Sequence, residues 1–215
     1  MNDVNAPTVS SYSERGALSY EDPTNKNFLY GEVTVQFLEQ VEFHSGCKEV
    51  LDLGCGTGFG FDVLGGAFSQ LAMHGTGIEP ATGMLEIARE KYKDDPRFSF
   101  DEGSFESIPL KDKSVDKIIS TLALHWVNSL RVAAEEMYRV VKNDGAVDIL
   151  MIAKNDGANF KKSIVEAQKK HLTFGQIMKT ATLVQRATEK DVMEQFSVFD
   201  QEFDIDIKKF NNVVF

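Results

Sequence analysis

Glu49-Val50-Leu51-Asp52-Leu53-Gly54-Cys55-Gly56-Thr57-Gly58 is the stretch of this 215-residue chain that decides its fold. A short apolar run closed by glycines suits a parallel strand buried on both faces. Glycines at its end let the backbone turn sharply and approach a ligand with no Cβ in the way. The N-terminus of the helix that follows would aim backbone N–H groups at that ligand. In an open parallel sheet, ligands bind in this crevice. The spacing also excludes two common occupants. A dinucleotide fingerprint needs Gly-x-Gly-x-x-Gly, yet counting from Gly54 puts Phe59 at the third position and counting from Gly56 puts Phe61 there. No Gly-Lys-Ser/Thr for a nucleoside triphosphate is present either. Strictly alternating glycines suit a ligand without phosphates.

Outward from the loop, the same rhythm repeats. A helix is expected from Phe59 to the Gly65-Gly66 pair, then a strand over Gly75 to Glu79. Gly83 to Lys93 reads as a helix with Met84, Leu85, Ile87 and Ala88 inward, and Phe98 to Phe100 as a third strand. Val115 to Thr121 is a fourth strand, followed by a helix from about Arg131 to Val141. Asn143-Asp144-Gly145 is expected to turn the chain into a fifth strand, Ala146 to Ile152. Upstream, Asn27 to Glu42 fits an amphipathic helix imperfectly. Strands alternating with helices predict an α/β fold, a doubly wound and mainly parallel sheet in a three-layer αβα arrangement.

After the fifth strand the rhythm changes. Asn159 to about Arg186 is a long, Lys-rich helical stretch, read as a lid insertion (about 155–187) over the strand ends. Thr188 with Asp191 starts another helix through a capping-box arrangement. Phe203, Ile205 and Ile207 alternate as a sixth strand. Residues 1–26 are polar and read as a flexible arm, leaving 27–215 as one domain.

The formal net charge of −10 works against binding a polyanion. Two cysteines make no disulfide framework, and no Cys/His cluster has zinc spacing, so no metal is expected. The N-terminus lacks the apolar core of a signal peptide, and no apolar run approaches a membrane span. A cytoplasmic location is expected, while nothing in the sequence fixes an oligomeric state.

Glu79 closes the second strand, with Pro80 after it. A carboxylate there can accept hydrogen bonds from both hydroxyls of a ribose. The alternative is a solvated loop carboxylate, against which stands the glycine loop one βαβ unit upstream. Together, Glu49–Gly58, Gly77-Ile78-Glu79-Pro80, the Met84-Leu85 pair and Arg139-Val140-Val141-Lys142-Asn143-Asp144-Gly145 resemble the successive motifs of class I S-adenosylmethionine-dependent methyltransferases, over residues 45 to 152. The resemblance implies that the loop, with Asp52, Gly54, Cys55, Gly56 and Gly58, holds the methionine end of S-adenosylmethionine. It implies Glu79 and Pro80 at the ribose, Met84 on the adenine face, and Thr121 where the fourth strand meets the cofactor. The family often has Gly-Asp after the third strand, the Asp taking the adenine amino group. Here Gly103 is followed by Ser104 and Phe105, which leaves Ser104 to accept one bond and Phe105 to supply its backbone amide. The family's sheet has seven strands; six are counted here, with at most the start of another at Val213, so an incomplete C-terminal edge is expected.

The fourth strand runs into Leu122-Ala123-Leu124-His125-Trp126-Val127-Asn128. Nucleic-acid amino-methyltransferases resembling this class carry Asn/Asp-Pro-Pro-aromatic here, and its absence argues against DNA or RNA substrates. The run is similar to one in small-molecule methyltransferases, carboxyl methyltransferases among them, where a (His/Gln)-Trp pair is associated with holding the substrate acid. Trp126 offers an indole donor on a large apolar face, and His125 a donor that can become charged. Alternatively, Trp126 packs a helix onto the sheet and His125 caps it. Lys154, Lys161, Lys162, Lys169, Lys170, Lys179 and Arg186 would make a basic lid suited to a small anionic substrate or an acidic carrier protein, unless they are only a solvated face. The expectation is O-methylation of an acid. N- or C-methylation, with His125 as base, and a non-catalytic cofactor-binding scaffold are the alternatives.

Overall fold

The structure, a computed structural model, describes residues 31–154, 187–200 and 202–208. Five strands form one parallel sheet: β1 Glu49–Leu53, β2 His74–Glu79, β3 Phe98–Glu102, β4 Val115–Thr121 and β5 Val141–Leu150, in the order β3-β2-β1-β4-β5. β1 lies at the centre, with Asp52 level with Gly77 on one side and with Ile119 on the other. Its run of apolar residues follows from that position, for Val50, Leu51 and Leu53 are all fully buried. Helices α1 (Gly31–Leu38), α2 (Phe59–Leu71) and α3 (Thr82–Tyr92) supply the core on one face. On the other face lie α4 (Leu130–Val140) and the segment around α5 (Glu189–Gln195), which together complete the expected three layers.

Rings fill the first of these cores. Phe61 stands 4.9 Å from Phe98 and 5.4 Å from Phe68, between centroids, and Tyr92 and Phe100 close the group. A Cβ on Gly75 of β2 would come within 2.8 Å of both Phe61 and Phe98, so glycine at that strand position makes room for the rings. The same burial explains why α2 does not stop at Gly65-Gly66 as the sequence predicts. Each glycine costs a helix interior about 1 kcal/mol. Phe61, Leu64 and Phe68 bury on either side of the pair and carry the helix to Leu71. It ends where Ala72 turns left-handed and donates its N–H to the Phe68 carbonyl.

Further corrections concern β5 and the C-terminal segment. Asn143-Asp144-Gly145 is no turn before the strand but lies within it, at a shift of register in the pairing of β4 with β5. Such a bulge bends the strand without ending it. Phe203, Ile205 and Ile207 form no strand; Phe203 instead packs edge-on against Phe199, 5.2 Å away, and Tyr138. Thr188 does cap α5 as expected, its hydroxyl accepting from Asp191 N (3.1 Å) while Asp191 accepts from Thr188 N (2.8 Å). The arm at 1–26, the greater part of the lid at 155–187 and the apolar end at Val213 lie outside the described residues. Among the described residues, no helix is long and apolar enough to cross a membrane.

Two polar clusters fix the loops around the sheet. Arg139 of α4 donates to the carbonyls of Ile108 and Leu110, each at 2.8 Å, and pairs with Glu136 and Asp112. The segment after β3 is thereby tied to α4. Asp116 of β4 accepts from the N–H groups of Lys48 and Glu49 and from the Lys142 ammonium, joining β1, β4 and β5 at the end remote from the glycine loop. The ring core is the larger source of stability. Phe61→Ala is expected to lower unfolding free energy by about 3–5 kcal/mol, measured by denaturant titration, whereas Val132→Ala, on the exposed face of α4, should change it by about 0.5 kcal/mol or less.

Candidate functional site

The glycine loop turns from β1 into α2 through three left-handed backbones, Gly54 (φ 78°), Gly56 (φ 54°) and Gly58 (φ 84°). Each has its own reason. A Cβ on Gly54 would stand 2.4 Å from that of Ala123, and one on Gly58 2.8 Å from the Tyr92 ring. Gly56 has nothing within 4 Å of its Cβ position; there the requirement is the backbone angle, and the space beside it is open.

That space belongs to a cleft lined by Thr34 of α1, Gly54 to Thr57 of the loop, Phe59 and Gly60 of α2, and Thr121 and Leu122 at the end of β4. It lies at the carboxyl ends of β1 and β4, where an open parallel sheet takes its ligands. Of the residues singled out from sequence, Gly54, Cys55, Gly56 and Thr121 meet in it. Asp52 and Glu79 stand directly behind the loop. Glu79 Oε2 accepts from Gly56 N (3.1 Å) and Oε1 from Ala81 N (3.0 Å). Burial raises the Glu79 pKa, and these two hydrogen bonds pull it back.

Asp52 is more extreme. It is 1% exposed, its Oδ1 has no hydrogen-bond partner, and a Cβ on Gly60 would come 2.5 Å from its Oδ2. Burial first, and the negative Glu79 second, push its pKa up to about 7. Cys55 is buried against Gly77, whose missing Cβ would sit 2.7 Å from Sγ. Burial, with Asp52 and Glu79 adding to it, pushes the thiol well up, which makes it a small neutral filler and not a nucleophile.

The remaining predicted residues do not line this cleft. Pro80 is half-buried beside Glu79, and Met84 is buried with Ala81 at the start of α3. Ser104 donates its N–H to the Ser107 carbonyl (3.2 Å). The Phe105 ring is buried in the core, 3.2 Å from the Cβ position of Gly54, so its first role is to brace the loop. His125 and Trp126 form a 3₁₀ turn, Leu124–Trp126, immediately after β4. Their rings lie 5.0 Å apart; His125 is buried and Trp126 half-buried. This turn is held near the loop by the contact of Ala123 with Gly54. It is also held by Leu122, which adopts φ 55° and donates its N–H to the Leu150 carbonyl at 2.7 Å. A left-handed leucine is unfavourable by about 1–2 kcal/mol and is kept by these constraints.

Thr34, Thr57, Phe59, Gly60 and Leu122 line the cleft without having been singled out from sequence. Thr57, Phe59 and Gly60 adjoin the motif and could have been found there. Thr34 could not, because only the packing of α1 brings it in from twenty residues upstream of Gly54.

The Asp52 environment has a consequence for stability. Below about pH 4 the carboxyl is neutral whether folded or unfolded. As pH rises toward 7, the unfolded chain gives up the proton that the folded state keeps, so stability falls across this window and levels off above it. Asp52→Asn is expected to remove this loss. Its unfolding free energy, measured by denaturant titration, should exceed that of the wild type by a margin that widens from pH 4 to 8 and reaches on the order of a few kcal/mol at most. A margin independent of pH would show that Asp52 is ionised throughout.

Comparison with known proteins agrees with this geometry. Residues 51–149 match the model of a family described as "Methyltransferase domain". The malonyl-[acyl-carrier protein] O-methyltransferase of Yersinia pestis is 34% identical over 148 residues, 67% of this chain and 50% of that protein. The enzyme of the same name from Serratia marcescens is 30% identical over 144 residues, 67% of this chain and 52% of its own length. The chain thus spans about half the length of these curated relatives. Among solved structures, the fold is similar to the complex between the Haloferax volcanii Trm112 methyltransferase activator and a methyltransferase. The TM-score is 0.64 at 21% identity, covering 91% of this chain and 83% of that one.

Proposed function

Because the chain belongs to the class I S-adenosylmethionine-dependent methyltransferases, a family of enzymes that take their methyl group from that cofactor, we propose that it methylates the carboxylate oxygen of a small or carrier-bound acid. The observation that carries this reading is the loop itself. Open space lies beside Gly56, whose N–H is held by Glu79, and a buried, partnerless carboxylate oxygen on Asp52 stands behind the loop. Among the described residues no Lys or Arg lines the cleft, which suits a ligand that is cationic and carries no phosphate. The residues present therefore fit the cofactor. The loop amides and Asp52 would hold its amino-acid end, Glu79 its ribose hydroxyls, and Met84 with Ser104 the region of the adenine.

When bound, the cofactor supplies a methyl group already activated on a positively charged sulfur. What remains for the chain is positioning and exclusion of water. Leu122 and Phe59 give the cleft apolar walls. The turn Leu124–Trp126 sets donors beside the end of β4, where the indole N–H and the imidazole can orient a carboxylate. A carboxylate is a nucleophile as it stands at neutral pH, so no base is required, and His125, buried with its ring tilted 41° to that of Trp126, is assigned to positioning. The names of the relatives support a malonyl group on a carrier protein as the first acceptor to try.

Calorimetric titration with S-adenosylhomocysteine tests the cofactor site. Micromolar binding is expected, weakened about tenfold or more in Glu79→Ala, as loss of charge-assisted hydrogen bonds implies. A folded wild type that does not bind would overturn the reading. For the acceptor, methylation of malonyl-carrier protein by His125→Gln should show a raised KM and an unchanged pH profile. A kcat that falls with loss of the alkaline or acidic limb would instead make His125 a base.

A further inference from the structure

We propose that Glu106 is a positioning residue for the acceptor: its carboxylate fixes the backbone that leaves the Leu124–Trp126 turn, and so sets where His125 and Trp126 stand. The inference rests on the reading of that turn as the holder of the acceptor carboxylate.

The turn belongs to the connection between β4 and α4, and that connection is tied down at both ends. At its start Leu122 donates its N–H to the Leu150 carbonyl, at 2.7 Å. Beyond Trp126, the N–H groups of Asn128 and Ser129 both donate to Glu106 Oε1, at 2.7 and 3.0 Å. Ser129 is the N-cap of α4. Backbone N–H groups at such a point have no helix carbonyl to meet, and a negative charge beside them is favoured. A carboxylate oxygen taking two of them makes a stronger tie than a neutral acceptor would. Between the two ties the backbone bonds are local. Trp126 donates to the Ala123 carbonyl (3.0 Å) and Val127 to that of Leu124 (3.3 Å), which shapes the turn itself.

Glu106 can serve as an anchor because the segment that carries it is itself held. Ser104 and Ser107 exchange N–H to carbonyl bonds at 3.2 and 3.1 Å, closing a tight turn around Phe105 and Glu106. Just beyond it, Ile108 donates its N–H to Glu136 (2.9 Å) and its carbonyl accepts from Arg139 (2.8 Å). The two residues at the tip of this turn serve different parts of the site. The Phe105 ring braces the glycine loop, 3.2 Å from the Cβ position of Gly54, while Glu106 reaches the exit of the acceptor turn. Removing the Glu106 carboxylate should therefore disturb the acceptor side and leave the cofactor side in place. A carboxylate that did no more than cap α4 would affect stability and neither side of the site.

Trp126 is the single tryptophan of the chain, so its fluorescence reports on this turn directly. The test compares wild type, Glu106→Ala and Glu106→Gln, the last of which keeps an oxygen able to accept both bonds. In Glu106→Ala the emission is expected to move to longer wavelength and to be quenched more readily by acrylamide. The KM for malonyl-carrier protein should rise about tenfold, the scale of one hydrogen bond to a charged group. S-adenosylhomocysteine, followed by calorimetric titration, should bind within about twofold of wild type. Glu106→Gln should bring all three readings back close to wild type. Unchanged Trp126 emission in Glu106→Ala, or S-adenosylhomocysteine weakened as much as the acceptor, would overturn the proposal while leaving the cofactor site standing. A wild type that binds S-adenosylhomocysteine but methylates no carboxylate would remove the acceptor reading and this proposal with it.

Discussion

The contact of Ala123 with Gly54 is the constraint from which the upper face of the sheet follows. One methyl group occupies the place where a Cβ on the loop would be. The end of β4 is thereby pressed onto the turn that leaves β1, and the residues that follow, Leu124 to Trp126, are set down beside the cleft. Leu122 accepts a left-handed backbone to permit this, held by Leu150 of β5. The same device recurs nearby. Gly58 yields to Tyr92, Gly60 to the Asp52 carboxylate, Gly77 to the Cys55 sulfur and Gly75 to the ring of Phe61. Room around the loop is made by leaving side chains out of β2, the loop and the first turn of α2. The rigidity of that space comes from what is packed against their bare backbones.

Into this frame the chain places two carboxylates that water does not reach freely. Asp52 retains a proton near neutrality because burial and Glu79 both disfavour its ionised form. Glu79 is held in place by the N–H groups of Gly56 and Ala81, which offset part of its own burial. Such a pair is poorly suited to an anion and well suited to a ligand with positive charge and hydroxyl groups to share. The acidic balance of the whole chain points the same way, against polyanions, while the pair acts locally and through a low dielectric.

Much of this was legible in the sequence, and the exceptions have physical causes. The central strands β1 and β4 could be read because both are buried and β1 is a near-continuous apolar run, and the others because they recur at the spacing of a βαβ chain. The Thr188–Asp191 capping box is a local motif and was found as such. Gly65-Gly66 misled because helix propensity is a small term beside the burial of Phe61 and Phe68. Asn143-Asp144-Gly145 misled because the same residues serve a turn or a bulge, and only pairing with β4 decides between them. At Phe203 to Ile207, Phe203 packs onto Phe199 and Tyr138 and Ile205 against the same core, so the alternation arises with no ladder. For the site, the loop and Glu79 were recognisable because their residue types are dictated by backbone geometry. Thr34 was not, since only the tertiary fold brings it to the cleft.

The central claim is that the glycine loop and Glu79 together cradle S-adenosylmethionine, and a crystal structure grown with S-adenosylhomocysteine tests it most directly. The account predicts ribose hydroxyls within hydrogen-bonding distance of Glu79 and the amino-acid end in the cleft beside Gly54, Gly56 and Asp52. Ligand density elsewhere on the sheet, with Glu79 turned away from it, would contradict the account.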